Sequence, residues 1–284
     1  MLRLKKILLP VDFSDRSVGA ARYAQTLASQ FHSHIILLHV ENDPFLVGSE
    51  GIKGPPMGSV EHTLWLNARL ESFSSSDLQG TGVTRVVVQG EPAEKIVEVA
   101  GAEEAGLIVM PTRGHGAFRQ FLLSSLVAKV LRDSDCPVWT GVHLANAAAR
   151  HSLSFRKIAC AVDLGPHARS GLRWASELAS AFGALLLVIH VAKPVAGVRV
   201  DASARDPQLE LVNHARGEIE DLLSKLGIKA EIAVGSGSVP RVVCDLALGF
   251  GADILVIGRY ALQRRLHPDT YTMIRQSHCP VVSV

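Results

Sequence analysis

The apolar positions of this chain follow two rhythms that alternate along it. Near-continuous apolar runs, "KILLPVD" (Lys6 to Asp12), "HIILLHV" (His34 to Val40), "TRVVVQG" (Thr84 to Gly90), "LIVM" (Leu107 to Met110) and "CPVWT" (Cys136 to Thr140), predict strands covered on both faces. Between them, apolar residues recur at helical spacing. Val18, Ala21, Tyr23, Ala24, Leu27, Ala28 and Phe31 predict a helix that Ser14 or Ser17 can cap. "VEHTLWLNARLESFSSSDL" (60–78), "PAEKIVEVAGAEEA" (92–105) and "FLLSSLVAKVLRD" (121–133) predict three more. The Gly/Pro-rich stretch Asn42 to Ser59 is too punctuated for regular structure. Strands alternating with helices, and too far apart for hairpins, imply right-handed crossovers and a parallel, doubly wound sheet. Such sheets bind ligands beyond the carboxyl ends of strands, where strand order reverses.

This pattern is written twice. Lys5 to Val40 is matched by Arg156 to Val191 at an offset of 151, with Asp12 on Asp163 and His39 on His190. "LIVMP" (Leu107 to Pro111) matches "ILVIG" (Ile254 to Gly258) at 147, and Cys136-Pro137-Val138 matches Cys279-Pro280-Val281 at 143. The second copy is thus four residues shorter in two places, between Val40 and Leu107 and between Pro111 and Cys136. The expected organisation is a first domain over 1–143 and a second over 155–284, joined by a small, polar linker near Val142 to Ser154. Two similar domains in one chain suggest a pseudo-two-fold pair, a homodimer fused into one polypeptide.

Composition narrows the partners. Among 284 residues, 48% are hydrophobic, enough for packed cores, and 29 basic against 27 acidic residues give a net charge of +2. Neither nucleic acid nor a membrane surface is expected on such a balance, and only 5% aromatic residues argue against base-stacking platforms. No apolar run approaches the ~20 residues that span a bilayer. Cys136, Cys160, Cys244 and Cys279 form no C-x-x-C pair, and the chain runs from Met1 directly into a strand-like segment, so a cytoplasmic location is expected.

Few residues are placed for chemistry. Asp12 ends the first strand, where the fold puts ligands, but it reads equally as a turn or N-cap residue. "PTRGHGAF" leaves the strand "LIVM" and enters a helix, so its backbone N–H groups could converge on an anion. Gly114 and Gly116 allow close approach, Arg113, His115 and Arg119 add cationic donors, and Ser124 and Ser125 could reach a phosphate. A loop that merely turns fits the same residues. His32-x-His34 lacks a third metal ligand, and His39 and His190 read as structural. No G-x-S-x-G, H-E-x-x-H or G-x-x-x-x-G-K-[ST] pattern is present, which argues against a serine hydrolase, a zinc protease and a Walker-type ATPase. Cys136 and Cys279 read as small core residues.

The pieces "ILLPVDFS", "LLHV", "VQGEPAEKIVEVA", "LIVMPTRGHG" and "SSLVAKVLRDSDCPV", followed by "IACAVDLG", "VIHV", "ADILVIGR" and "HCPVVSV", resemble the universal stress protein family in a tandem, two-domain form. The resemblance implies two five-stranded parallel sheets of the adenine nucleotide alpha hydrolase-like type, open twisted α/β sandwiches. It also implies that the strands "CPVWT" and "CPVVSV" pair across the two domains, with a further homodimer as an additional expectation.

ATP-binding members of that family carry G-x-x-G-x9-G-[ST]. Here the frame reads Pro111 to Gly114, nine residues, then Ser124-Ser125, with Pro111 and Ser124 in place of glycines. Proline removes an N–H and fixes φ. The resemblance places Pro10, Val11, Asp12 and Val40 on the adenosine side. Met110, Arg113, Gly114, Ser124, Ser125 and Leu126 would lie around ribose and phosphates, with ATP taken with Mg²⁺ in the first domain only. In the second copy Gly258 is present, Ala261 stands at the second glycine, and Pro268 and Asp269 fall near the missing small pair, so that site reads as degenerate. The functional expectation is a stress-response signalling or protective protein that binds an adenine nucleotide without substantial catalysis. A scaffold that binds no nucleotide, and a slow ATPase, are the alternatives.

Overall fold

Each of the expected apolar runs forms a strand in a computed structural model, which describes residues 2, 4–42, 55, 59–112, 125–141, 153–165, 168–192, 207–259 and 267–284. The chain divides into two compact units, Arg3–Leu153 and Ser154–Val284. The first contains β1 (Lys6–Pro10), α1 (Asp15–Phe31), β2 (His34–Glu41), α2 (Val60–Ser72), β3 (Val83–Gln89), α3 (Pro92–Ala102), β4 (Leu107–Val109), α4 (Ser125–Asp133) and β5 (Val138–Thr140). The second contains β6 (Lys157–Val162), α5 (Ala168–Phe182), β7 (Leu185–Ala192), α6 (Pro207–Leu226), β8 (Glu231–Ser236), α7 (Val239–Phe250), β9 (Ile254–Ile257), α8 (Pro268–Gln276) and β10 (Val281–Ser283).

Strand order is β3-β2-β1-β4-β5 in the first unit and β8-β7-β6-β9-β10 in the second, and these neighbours are parallel. The chain therefore winds outward from β1 in one direction and then from β4 in the other, and likewise from β6 and β9. Because both faces of a parallel sheet are covered, the central strands are apolar throughout: Ile7, Leu8, Leu9, Ile35, Leu37 and Leu38 are fully buried, as are Ile254, Leu255 and Val256.

Register shows where the repeat lost residues. Lys6 faces His34 and Lys157 faces Leu185, the same separation in both copies. Leu37 faces Arg85, whereas its counterpart Val188 faces Ile232, four residues closer in sequence. The first shortening thus lies before β3, between the second strand and the third. Helix α4 ends at Asp133 and α8 at Gln276, already at the offset of 143, so the second shortening falls after β4 and before the ends of these helices.

The helices follow their apolar faces with two adjustments. On α1, Ala21, Tyr23, Ala24, Leu27 and Ala28 are buried as expected, Ala20 is buried as well, and Val18 and Phe31 are only half-buried. The helix expected to reach residue 78 stops at Ser72, and 73–80 is turn, with Ser74 left-handed at φ 47. The helix closes at Phe73, whose backbone is extended at φ -63 and ψ 121. Residues 121–124 of the fourth expected helix, and the linker at 142–152, lie outside the described residues. Among the described residues no helix is long and apolar enough to cross a membrane.

Candidate functional site

The first unit opens a cleft of about 150 Å³ at the point where its strand order reverses. Pro10, Val11 and Asp12 line it from the end of β1, Leu38, His39 and Val40 from β2, and Met110 and Pro111 from the end of β4. Pro92 and Ile96 of α3 and Leu126 and Val127 of α4 close it. Liquid water takes about 30 Å³ per molecule, so the cleft has the volume of roughly five waters, enough for one ring system. It is almost wholly apolar, and the first turn of α4 stands on it with the positive end of its dipole.

Asp12 does what its alternative reading required and also lines the cleft. Its Oδ1 accepts the Ser14 N–H at 3.1 Å, the Ser14 hydroxyl at 2.5 Å and the Ser17 hydroxyl at 2.6 Å. Ser14 then caps α1 by accepting the Ser17 N–H, and Ser17 is the pivot of the network and not the cap. Asp163 repeats the turn, accepting the Gly165 N–H at 3.0 Å. In both copies the residue after the aspartate, Phe13 at φ 60 and Leu164 at φ 61, is left-handed without being glycine, a strained conformation held by its surroundings. The Phe13 ring sits 4.5 Å from His39, 5.9 Å from Phe73 and under the Arg69 guanidinium at 4.3 Å.

The two strand-end histidines are structural, as the sequence implied. His39 Nδ1 donates to the Val11 carbonyl at 2.9 Å and His190 Nδ1 to the Val162 carbonyl at 2.8 Å, tying each second strand to the loop after the first. Burial lowers the pKa of His39 below its ordinary 6.5, and the Arg69 charge adds to it, against the Val11 hydrogen bond and the carboxylates of Glu41 and Asp12. His32 ends α1 in the left-handed conformation, and His34 Nε2 lies 2.7 Å from the Thr84 hydroxyl. Cys279 is buried, which pushes its thiol up to about 11. Cys136 is half-buried, with Sγ 3.0 Å from the Ala105 carbonyl.

Of the ten residues singled out beforehand, Pro10, Val11, Asp12, Val40, Met110 and Leu126 line this cleft. Ser125 is the first residue of α4, and Arg113, Gly114 and Ser124 lie outside the described residues, as does Ala261. Sequence reasoning did not place Ser17, Leu38, His39, Pro92, Ile96, Pro111 and Val127 among the site residues. The signal for α3 was present: Glu91-Pro92 starts a helix at the same carboxyl end of the sheet, with Glu91 accepting the Glu94 N–H as cap.

The second unit has the larger opening, about 600 Å³, at the corresponding ends of β6 and β9. His267 caps α8 and Pro268 and Asp269 open it, near the place of the missing small pair.

A model of the universal stress protein family matches residues 3–140 and, a second time, 154–284. The chain belongs to the universal stress protein family. A universal stress protein of Methanocaldococcus jannaschii is 31% identical over 140 residues, 47% of this chain and 79% of that relative. One of Thermus aquaticus is 34% identical over 138 residues, again 47% of this chain and 96% of the relative. A solved universal stress protein from Archaeoglobus fulgidus shares the fold, with a TM-score of 0.68 over 99% of this chain and 96% of that one at 20% identity. This universal stress protein is thus a tandem duplicate in which two halves of one fold carry different openings.

Proposed function

We propose that the chain binds an adenine nucleotide, ATP with Mg²⁺, in its first unit and acts in a stress response through the bound state, signalling or protecting without turnover. The observation that carries this is the convergence of Asp12, Met110 and the first turn of α4 on one cleft at the reversal of strand order. The cleft would take the base or ribose. Arg113, Gly114, Ser124 and Ser125 would meet the phosphates.

A second reading, an interaction scaffold that takes no nucleotide, is favoured by Pro111. This proline lines the cleft where the family frame has a glycine, and it brings no N–H.

Thermal unfolding of the nucleotide-free protein with and without millimolar Mg-ATP separates the two. At a hundredfold excess over Kd a ligand adds about 2.7 kcal/mol, a rise of several degrees. Gly114→Val and Val40→Trp should abolish the rise, and Pro111→Gly should enlarge it. No rise in the parent or in Pro111→Gly would sink nucleotide binding and leave the scaffold.

A further inference from the structure

The 600 Å³ opening of the second unit lies within the range of roughly 300–1,000 Å³ common for small-molecule sites, and its chemistry differs from that of the first. Its floor is apolar, with Val162, Val191, Ala215, Val243, Ile257 and Met273. Among the described residues its charged rim is Asp163, Glu218 and Asp269 against Arg259, completed by the imidazoles of His190, His214 and His267.

At the start of α8 the described backbone donors are already used. Pro268, the first residue of α8, has no N–H. The Asp269 N–H is taken by His267 Nδ1 at 3.2 Å, and the Thr270 N–H by the His267 carbonyl at 2.9 Å. The Asp269 carboxylate, 3.4 Å from His267 Nδ1, already occupies the positive end of the helix. Among the described residues, a phosphate at the first turn of α8 would meet the Asp269 carboxylate and no free N–H from residues 268–270. Glu218 and Asp163 reinforce the same sign, one paired at 3.7 Å with His214 and the other holding its own turn.

We propose that the cavity of the second unit binds a small organic cation, a molecule with a flat apolar body and one positively charged nitrogen, in place of a phosphorylated nucleotide. The apolar floor takes the body by removing it from water, and the three rim carboxylates select the charge. The site is distinct from the nucleotide cleft proposed above and stands or falls separately from it.

The test uses the full chain and two fluorescent probes of similar apolar area and opposite charge. These are berberine, a planar cation, and 1-anilinonaphthalene-8-sulfonate, an anion. The expected result is saturable one-to-one binding of berberine and binding of the anion weaker by roughly tenfold or more. Glu218→Gln combined with Asp163→Asn should weaken berberine by roughly tenfold, two partly screened charges, and leave the anion no weaker. Both residues are exposed, and asparagine keeps the acceptor for the Gly165 N–H, so the fold is retained. Leu211→Trp, which fills the cavity from α6, should remove berberine binding. Absence of saturable berberine binding, equal affinity for the two probes, or affinity unchanged in either variant would overturn the assignment.

Discussion

Asp12 shows why a residue that lines the proposed nucleotide cleft cannot be assayed as if ligand binding were its only task. One carboxylate oxygen holds Ser14 and Ser17, and Ser14 holds the start of α1, so removing the side chain strands buried donors before any ligand is considered. Asp12→Ala should cost ~1–3 kcal/mol in urea unfolding without nucleotide, while Asp12→Asn, which keeps an acceptor, should cost less. His39 gives a pH dependence of definite sign. Burial lowers its folded-state pKa below 6.5, so the unfolded chain binds the proton more readily. The stability contributed by the neutral, buried ring is present above pH 6.5 and is lost as pH falls below it. His39→Asn, whose amide can still donate to Val11, should flatten that part of the stability profile, measured as urea midpoints between pH 5 and 8. An unchanged slope would show that other groups carry it.

At the scale of elements, the two copies end equivalent helices with different residues. α1 ends at left-handed His32, φ 53, and α5 at Gly183, φ 62; after α3 stands Glu104, φ 51, and after α7 Gly251, φ 73. A residue with a Cβ pays roughly 1 kcal/mol for that conformation and glycine does not. His32→Gly and Glu104→Gly should therefore each stabilise the protein by about 1 kcal/mol, and Gly251→Glu should destabilise it similarly, by chemical denaturation.

Such differences explain what the sequence made legible. Strands buried on both faces write themselves as apolar runs, and all five of the first copy were readable; so was the repeat, because its register constrains residue identity at many positions together. Helix ends were less readable. The left-handed closures at His32 and Glu104 carry no glycine, and nothing in three successive serines marks whether a helix stops at Ser72 or continues. The cleft was half readable for a related reason. Pro10, Asp12 and Met110 sit at strand ends, where position follows from topology, whereas Ile96 and Val127 reach it from helices whose apolar residues look like any other core contact. The acidic rim of the second opening is assembled from three separate segments and has no linear signature.

Across the whole molecule, the thiols report packing. Burial raises Cys160 to about 12, and Cys244 and Cys279 each to about 11, so none of the three supplies much thiolate at neutral pH. With excess aromatic disulfide reagent at pH 8, Cys136 should react first in the native state and the other three only on unfolding. Rapid reaction of all four would show local opening of both units.

The two copies agree in one further respect. Ser74 apart, the described left-handed residues stand at 13, 32, 80, 90 and 104 in the first and at 164, 183, 227, 237 and 251 in the second, and the separation steps from 151 to 147 where the first four residues were lost. Side chains at these joints changed freely, from Phe13 to Leu164 and from Glu104 to Gly251, while the joints kept their places. The spacing of left-handed joints is therefore shared by two copies whose connections from the fourth strand to the fourth helix differ in length. Aligned on these joints alone, the two copies fall into register without reference to any ligand motif.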